Sequence, residues 1–211
     1  MNEDSKAKPP RNRALTEARL REAVGTLLVK GGFGALTPSA VAREAGTDKM
    51  LIYRYFGGLP GLVEAVASGP DFFPSFDEVC GGDADALRAL PPSQRAATVV
   101  DNYARLLMAR PVVLELMVWE MVERNALTAI METARETMGL RVARELFGDA
   151  GEPERINAIS ALLGAAVTYL ALRRRKIRWF NGMDLRSDEG WAQIRRIVLE
   201  MTAPLDTPPP P

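Results

Sequence analysis

From Ala45 to Phe56 the chain reads Ala-Gly-Thr-Asp-Lys-Met-Leu-Ile-Tyr-Arg-Tyr-Phe, and side chains able to do recognition chemistry are concentrated there. Ile52 and Phe56 stand four apart and share one side of any helix containing them. Lys49, Met50, Tyr53, Arg54 and Tyr55 are left for the outside. Two cations, two phenols and a thioether suit a poor solvent-facing helix but a good groove reader. The cations and hydroxyls can donate to phosphate oxygens, and Lys49 and Met50 can meet base edges. Gly46 supplies a turn in front of this helix, because a residue without Cβ adopts positive φ at low cost. Thr47 or Asp48 can cap it. This is the layout of the second half of a helix-turn-helix.

The residues before it supply the first half. From Leu15 to Lys30 the apolar positions Leu20, Val24, Leu27 and Leu28 recur at helical spacing, and Gly31-Gly32 ends that helix. Thr37 caps a second helix, with Pro38 in its first turn, where a missing N–H costs nothing. Val41, Ala42 and Ala45 form its buried side, small enough for a third helix to cross closely. After Phe56, Gly57-Gly58 makes a break. Pro60 opens a fourth helix through Leu62, Val63 and Val66.

The run from Leu15 to Ala67 resembles the DNA-binding domain of the tetracycline-repressor (TetR) family. The matching pieces are a first helix ending in a glycine pair and Phe33, then Thr37, Val41-Ala42, Ala45-Gly46 and Ile52-Tyr53-Arg54-Tyr55-Phe56, with Leu62 beyond. The resemblance covers about a quarter of the chain. It implies an all-α fold, an N-terminal helix-turn-helix domain joined to a larger helical domain for effector binding and dimerisation. On matching positions it implies base contacts by Lys49 and Met50, and a base or phosphate contact by Thr47. Phosphate contacts fall to Thr37, Ser39, Tyr53, Arg54 and Tyr55. The ring of Tyr53 is expected to pack on the first helix with its hydroxyl outward. Two departures stand out: the family's usual phosphate-binding lysine is Leu59 here, and Met50-Leu51 replaces small residues.

Composition narrows the alternatives. The 211 residues carry 27 basic and 27 acidic side chains, so there is no global attraction to nucleic acid. Residues 1–68 nevertheless hold ten Lys/Arg against seven Asp/Glu, with Lys6, Lys8, Arg11 and Arg13 in a basic arm over residues 1–14. That arm either follows a phosphate backbone or simply solvates the N-terminus. Histidine is absent and Cys80 is the one cysteine. Imidazole-based acid–base chemistry and most transition-metal sites are thereby excluded, and no metal or cofactor is expected. One thiol and an N-terminus without an apolar h-region fit a cytoplasmic protein.

The expected domains are 15–68 for DNA binding and 69–203 for effector binding and dimerisation, followed by a polyproline-like tail over 204–211. The stretch Gly69 to Pro92 reads as loop or short helix. Ser93 is expected to cap a helix to about Ala109, with Val99, Tyr103 and Leu106 on one side. Pro111 breaks it. Helices then run from Val112 to about Asn125, and from Leu127 to Phe147 with Leu127, Ile130, Met131, Ala134 and Met138 in register. Pro153 starts a helix reaching about Phe180, ended by Asn181-Gly182. Ser187 or Asp188 begins the last.

The helix from Pro153 carries two apolar stripes. Ile156, Ile159, Leu163, Val167 and Leu170 are large; Ala161, Gly164, Ala165, Thr168 and Ala171 are small. One buried side needs one stripe, so two imply two partners. With Trp191, Ile194 and Val198 of the last helix, the small stripe would make a homodimer interface. A central helix enclosed by its own chain is the plainer alternative. A membrane span is not expected from so short an apolar run, interrupted by Ser160 and Thr168. Arg173, Arg174, Arg175, Lys176 and Arg178 complement a helix C-terminus and can pair with Asp184, Asp188 and Glu189.

Three functions compete. The first is a dimeric, sequence-specific transcriptional regulator on a palindromic duplex, a repressor released by a small, mostly apolar effector. A chamber for that effector would be lined by Tyr103, Met117, Trp119, Glu120, Met121, Met138 and Tyr169, with Glu115 and Glu123 nearby. The second is an all-helical protein-interaction module, and the third, disfavoured by the missing histidine, a helical enzyme.

Overall fold

In the computed structural model, the residues described are 10–69, 72–122, 124 and 126–207, without the side chains of 10–12, 126, 127 and 130. Lys6, Lys8, Glu123, Asn125 and the Pro208 to Pro211 tail lie outside them, as do the side chains of Arg11, Leu127 and Ile130. The fold is all-α apart from one small hairpin among the described residues. The chain divides into two compact units. One runs as far as Phe72 and adds Glu115–Ile130; the other takes Phe73–Leu114 and everything from Met131 onward.

The first unit begins with α1 (Pro10–Gly31). Arg11 and Arg13 of the expected arm are therefore helical. Leu20, Ala23, Val24 and Leu28 are buried. Gly32, at φ 65°, turns the chain into a 3-10 segment (Phe33–Ala35). Next come α2 (Pro38–Glu44), α3 (Met50–Phe56) and α4 (Leu59–Ala67). Thr37 caps α2 by accepting the Ala40 N–H at 3.1 Å. Val41, Ala42 and Ala45 are buried as their small size anticipated. Lys30 Nζ reaches Glu44 at 3.0 Å, tying α1 to α2.

In the second unit, the stretch expected as loop holds two short helices, α5 (Phe76–Val79) and α6 (Ala84–Arg88). Ser75 closes a capping box with Glu78, and Asp83 caps α6. Cys80, next to α5, is buried, and desolvation pushes its thiol pKa up, so it is an inert apolar residue. The central helix α7 (Pro92–Met108) carries α5, α10 and α11 against it. Its buried face is Ala96, Val100, Tyr103, Ala104 and Leu107, which leaves Val99 and Leu106 only half-buried. Ser93 does not cap α7. Its N–H and hydroxyl both donate to Asp206, at 2.8 and 2.6 Å.

Then come α8 (Pro111–Glu120), α9 (Ala126–Phe147) and α10 (Pro153–Arg174). Helix α10 stops six residues before the expected end. Beyond it β1 (Trp179–Phe180) and β2 (Met183–Asp184) pair antiparallel, Trp179 opposite Asp184 and Phe180 opposite Met183. Asn181-Gly182 is therefore a hairpin turn, both residues at positive φ of 48° and 79°, rather than a helix stop. Asp184 accepts from Arg178 at 2.9 Å, and Leu185 O accepts from Arg174 and from the Trp191 indole. Ser187 caps α11 (Asp188–Thr202).

Candidate nucleic-acid interface

The end of α2 sets the direction in which α3 leaves. Gly46, at φ 61°, reverses the chain, and the Thr47 N–H donates to Ala42 O at 2.9 Å. Of the two candidate caps, Asp48 is the one used: its Oδ1 accepts the Met50 N–H at 2.8 Å. Helix α3 then buries Ile52 completely. Met50 is 61% exposed and Tyr53 49%. Lys49, Arg54, Thr37 and Ser39 are exposed, whereas Thr47 and Tyr55 are half-buried. A short helix with one fully buried anchor and a polar, protruding outer side is the geometry the sequence pattern asked for.

The two tyrosines differ in setting. Tyr53's ring stands 3.9 Å from where a Cβ on Gly58 would lie. The ring covered by an α1 side chain is Tyr55, whose centroid is 5.0 Å from the Arg13 guanidinium. Arg21 lies similarly over Phe56, at 5.4 Å.

Behind α3 the packing is tighter than the sequence suggested. A Cβ on Gly61 of α4 would fall 1.9 Å from the carbonyl oxygen of Phe56, so only glycine permits this crossing. A second feature has no signal in the sequence. Trp119 stacks on Phe33 with ring centroids 3.4 Å apart and planes 5° from parallel. Trp119 thus meets the segment joining α1 to α2, where an effector-lining role had been expected. The i, i+4 charges on α1 were visible as sequence; their proximity to α3 was not.

Of the other expected effector residues, Tyr103 and Met138 belong to the second unit, buried and half-buried; Met117, buried, and Glu120, half-buried, belong to the first. Met121 and Tyr169 are exposed, and Tyr169 makes an edge contact with Phe180 at 5.7 Å. Of the expected dimer residues, Ala161 and Ala165 are exposed, and Gly164, Thr168 and Ile194 half-buried. Trp191 and Val198 are buried within their own chain, as is Ala171 of the small stripe.

A capped two-helix turn presenting α3 in this way defines a helix-turn-helix protein. The chain carries the N-terminal domain of the tetR family: residues 22–66 match the family described as bacterial regulatory proteins, tetR family. Solved structures share the whole fold. A TetR-like transcriptional regulator from Rhodococcus sp. RHA1 superposes with a TM-score of 0.63 at 16% identity, over 93% of this chain and 98% of its own. A TerR/AcrR-family regulator from Aquifex aeolicus VF5 gives 0.59 at 12%, over 89% and 98%. AibR in complex with isovaleryl coenzyme A and operator DNA gives 0.60 at 13%, over 88% and 97%. No curated protein matches the chain.

Proposed function

We propose that this chain is a dimeric, sequence-specific DNA-binding regulator of transcription, a repressor released by a small, mostly apolar effector. The observation that carries the reading is α3, which buries Ile52 fully and leaves Lys49, Met50, Tyr53 and Arg54 outward. Lys49 and Met50 read base edges. Thr37, Ser39, Thr47, Tyr53, Arg54 and Tyr55 hold the backbone; the Thr37 hydroxyl, although it accepts a cap bond, still has a hydrogen to donate. Two such helices about 34–36 Å apart fit successive major grooves of a palindrome. Selection from a random duplex pool tests this. An enriched palindromic motif is expected, with Lys49→Ala relaxing base preference at a cost of about 1–3 kcal/mol. Recovery of no motif refutes specific binding and leaves the interaction-module alternative.

The apolar side of α10 supports the dimer. Leu162 is 72% exposed, flanked by exposed Ala158, Ala161, Ala165 and Tyr169. On α11 the matching residues are Ile194, Ile197 and Met201, the last 68% exposed, in place of the buried Trp191 and Val198. By length and composition alone α10 could also cross a membrane. In the dimer, a second copy of the chain covers this face instead. Ala165→Arg buries an unpaired charge at such an interface and is expected to yield monomers in sedimentation. A wild-type monomer at micromolar concentration refutes the dimer.

For the effector, Tyr103 and Met138 of the second unit remain the candidate contacts. AibR, sharing the fold, is solved with isovaleryl coenzyme A and operator DNA together, so the architecture accommodates both kinds of ligand. Release of DNA requires that the effector favour a dimer whose α3 helices no longer match the groove spacing. The site of action is the cytoplasm, and no catalytic role is assigned.

A further inference from the structure

Arg13, Glu17 and Arg21 succeed one another at intervals of four on α1 and so share one face. Glu17 accepts from Arg13 Nε at 2.7 Å and stands 3.7 Å from Arg21. The two guanidiniums lie over the rings of consecutive α3 residues, Tyr55 and Phe56. One carboxylate thus restrains two cations beside the C-terminal end of α3. The Arg13 side chain is 62% exposed. Only its Nε is engaged by Glu17, and a guanidinium has four further N–H donors in the fork geometry that suits phosphate oxygens.

We propose that Arg13 and Tyr55 form a phosphate-binding corner of the DNA interface, in which Glu17 holds the guanidinium in the free protein and competes with the phosphate for it. The inference rests on the DNA-binding reading above and adds to it a residue from α1 and a built-in restraint. Tyr55 backs the flat of the guanidinium and offers its own hydroxyl, so one phosphate can accept from both. Glu17 orients Arg13, limiting the conformational freedom lost on binding, but its charge opposes the incoming phosphate. The restraint sets affinity for backbone without touching base preference. Its effect on matched and unmatched duplexes is therefore equal.

The test is the salt dependence of binding by the full chain to a duplex selected by the wild type and to an unrelated duplex. Arg13→Ala is expected to weaken both alike and to reduce the slope of log K against log salt by about 0.9, the value for one phosphate. Its deficit then shrinks about threefold between 50 and 200 mM salt, in proportion to that slope. Glu17→Gln keeps an acceptor for Arg13 but removes the charge, and is expected to tighten binding several-fold. In an Arg13→Ala background that gain should shrink to the part due to Glu17's own charge and its hold on Arg21. An unchanged slope in Arg13→Ala, or an equal Glu17→Gln gain in both backgrounds, overturns the corner while leaving DNA binding intact. A wild type that binds no duplex in a salt-dependent way overturns both. Circular-dichroism melts establish that each variant is folded.

Discussion

Replacing Gly61 by alanine should disturb the recognition helix from behind. The added Cβ would lie 1.9 Å from Phe56 O and 3.1 Å from Phe56 C. Real Cβ contacts stop near 3.0 Å, so α4 and the end of α3 must separate by roughly 1.1 Å. The obstacle is backbone and cannot rotate aside. Moving α4 also disturbs Leu62 and Val63, both buried. Overpacking of this kind costs about 1–3 kcal/mol, against which the lower unfolded-state entropy of alanine returns about 0.4–1 kcal/mol. A net loss of about 1–2 kcal/mol lowers Tm by about 2–8 °C for a chain of this size. Gly139→Ala is the control, since its Cβ meets nothing within 4 Å in α9. It should stabilise by up to about 1 kcal/mol, the helix-propensity difference. Both variants are to be melted at one protein concentration, and their affinity for the selected duplex measured. Gly61→Ala should lose affinity as Arg54 and Tyr55 shift, and Gly139→Ala should not. If Gly61→Ala melts at or above the wild type and binds DNA normally, the close crossing of α3 and α4 is wrong.

Two further perturbations probe the supports of each unit. Trp119→Ala removes the stack on Phe33, worth about 0.5–1.5 kcal/mol beyond burial, and should weaken DNA binding while Trp119→Phe largely restores it; equal affinity of all three proteins refutes a positioning role. In the second unit Arg95 is buried and donates to Leu90 O, to Leu146 O and to both carboxylate oxygens of Asp149, at 2.8 and 3.0 Å. These hydrogen bonds hold the Asp149 carboxyl below its ordinary value. The folded state therefore binds that proton less readily than the unfolded chain does. The resulting stability is complete above the unfolded value of about 3.9 and is lost as pH falls through the folded one. Asp149→Asn should cost about 1–2 kcal/mol at pH 7, near the lower end for a charged hydrogen bond, because Asp149 is largely exposed. It should also flatten the fall in Tm between about pH 4 and pH 2; an unaltered acid limb contradicts the assignment.

What could be read from sequence was what local stereochemistry decides. Thr37, Pro38, Gly46 and Ile52 each occupy positions that short-range rules dictate, and each was anticipated. Readings failed where distant chain made the decision. Ser93 looks like a cap, but Asp206, 113 residues away, takes both its donors. Helix α10 seems to continue past Arg174 because no glycine or proline stops it. Its end is fixed instead by Arg174 donating to Leu185 O and Arg186 donating to Arg174 O. The Asn181-Gly182 turn was present as a hairpin signal, but two-residue strands are too short to show alternation. On α11, spacing identified an apolar set without deciding which members face inward; the helix packs on α7 and buries Trp191 and Val198 while Ile197 and Met201 stay exposed.

The segment that matches the tetR family, residues 22–66, contains α3 but not the two arginines that lie over its C-terminal rings. Arg13 and Arg21 precede that segment, yet their guanidiniums lie over Tyr55 and Phe56. Trp119 comes more than fifty residues after it, yet stacks on Phe33. The motif supplies a generic device: a capped α2, a glycine turn and an α3 anchored by Ile52. Side chains outside it touch α3 and add positive charge beside it. In the proposed reading, changes at Glu17 or Trp119 are therefore expected to retune affinity without altering a residue that meets a base. In the proposed reading base preference rests with Lys49 and Met50, both exposed and neither part of the Arg13–Glu17–Arg21 row. Separate encoding of reading and holding predicts that the Glu17 and Lys49 substitutions act additively on binding free energy, as independent sites do. A double-mutant cycle on the selected duplex measures this, and a coupling well above about 0.5 kcal/mol refutes the separation.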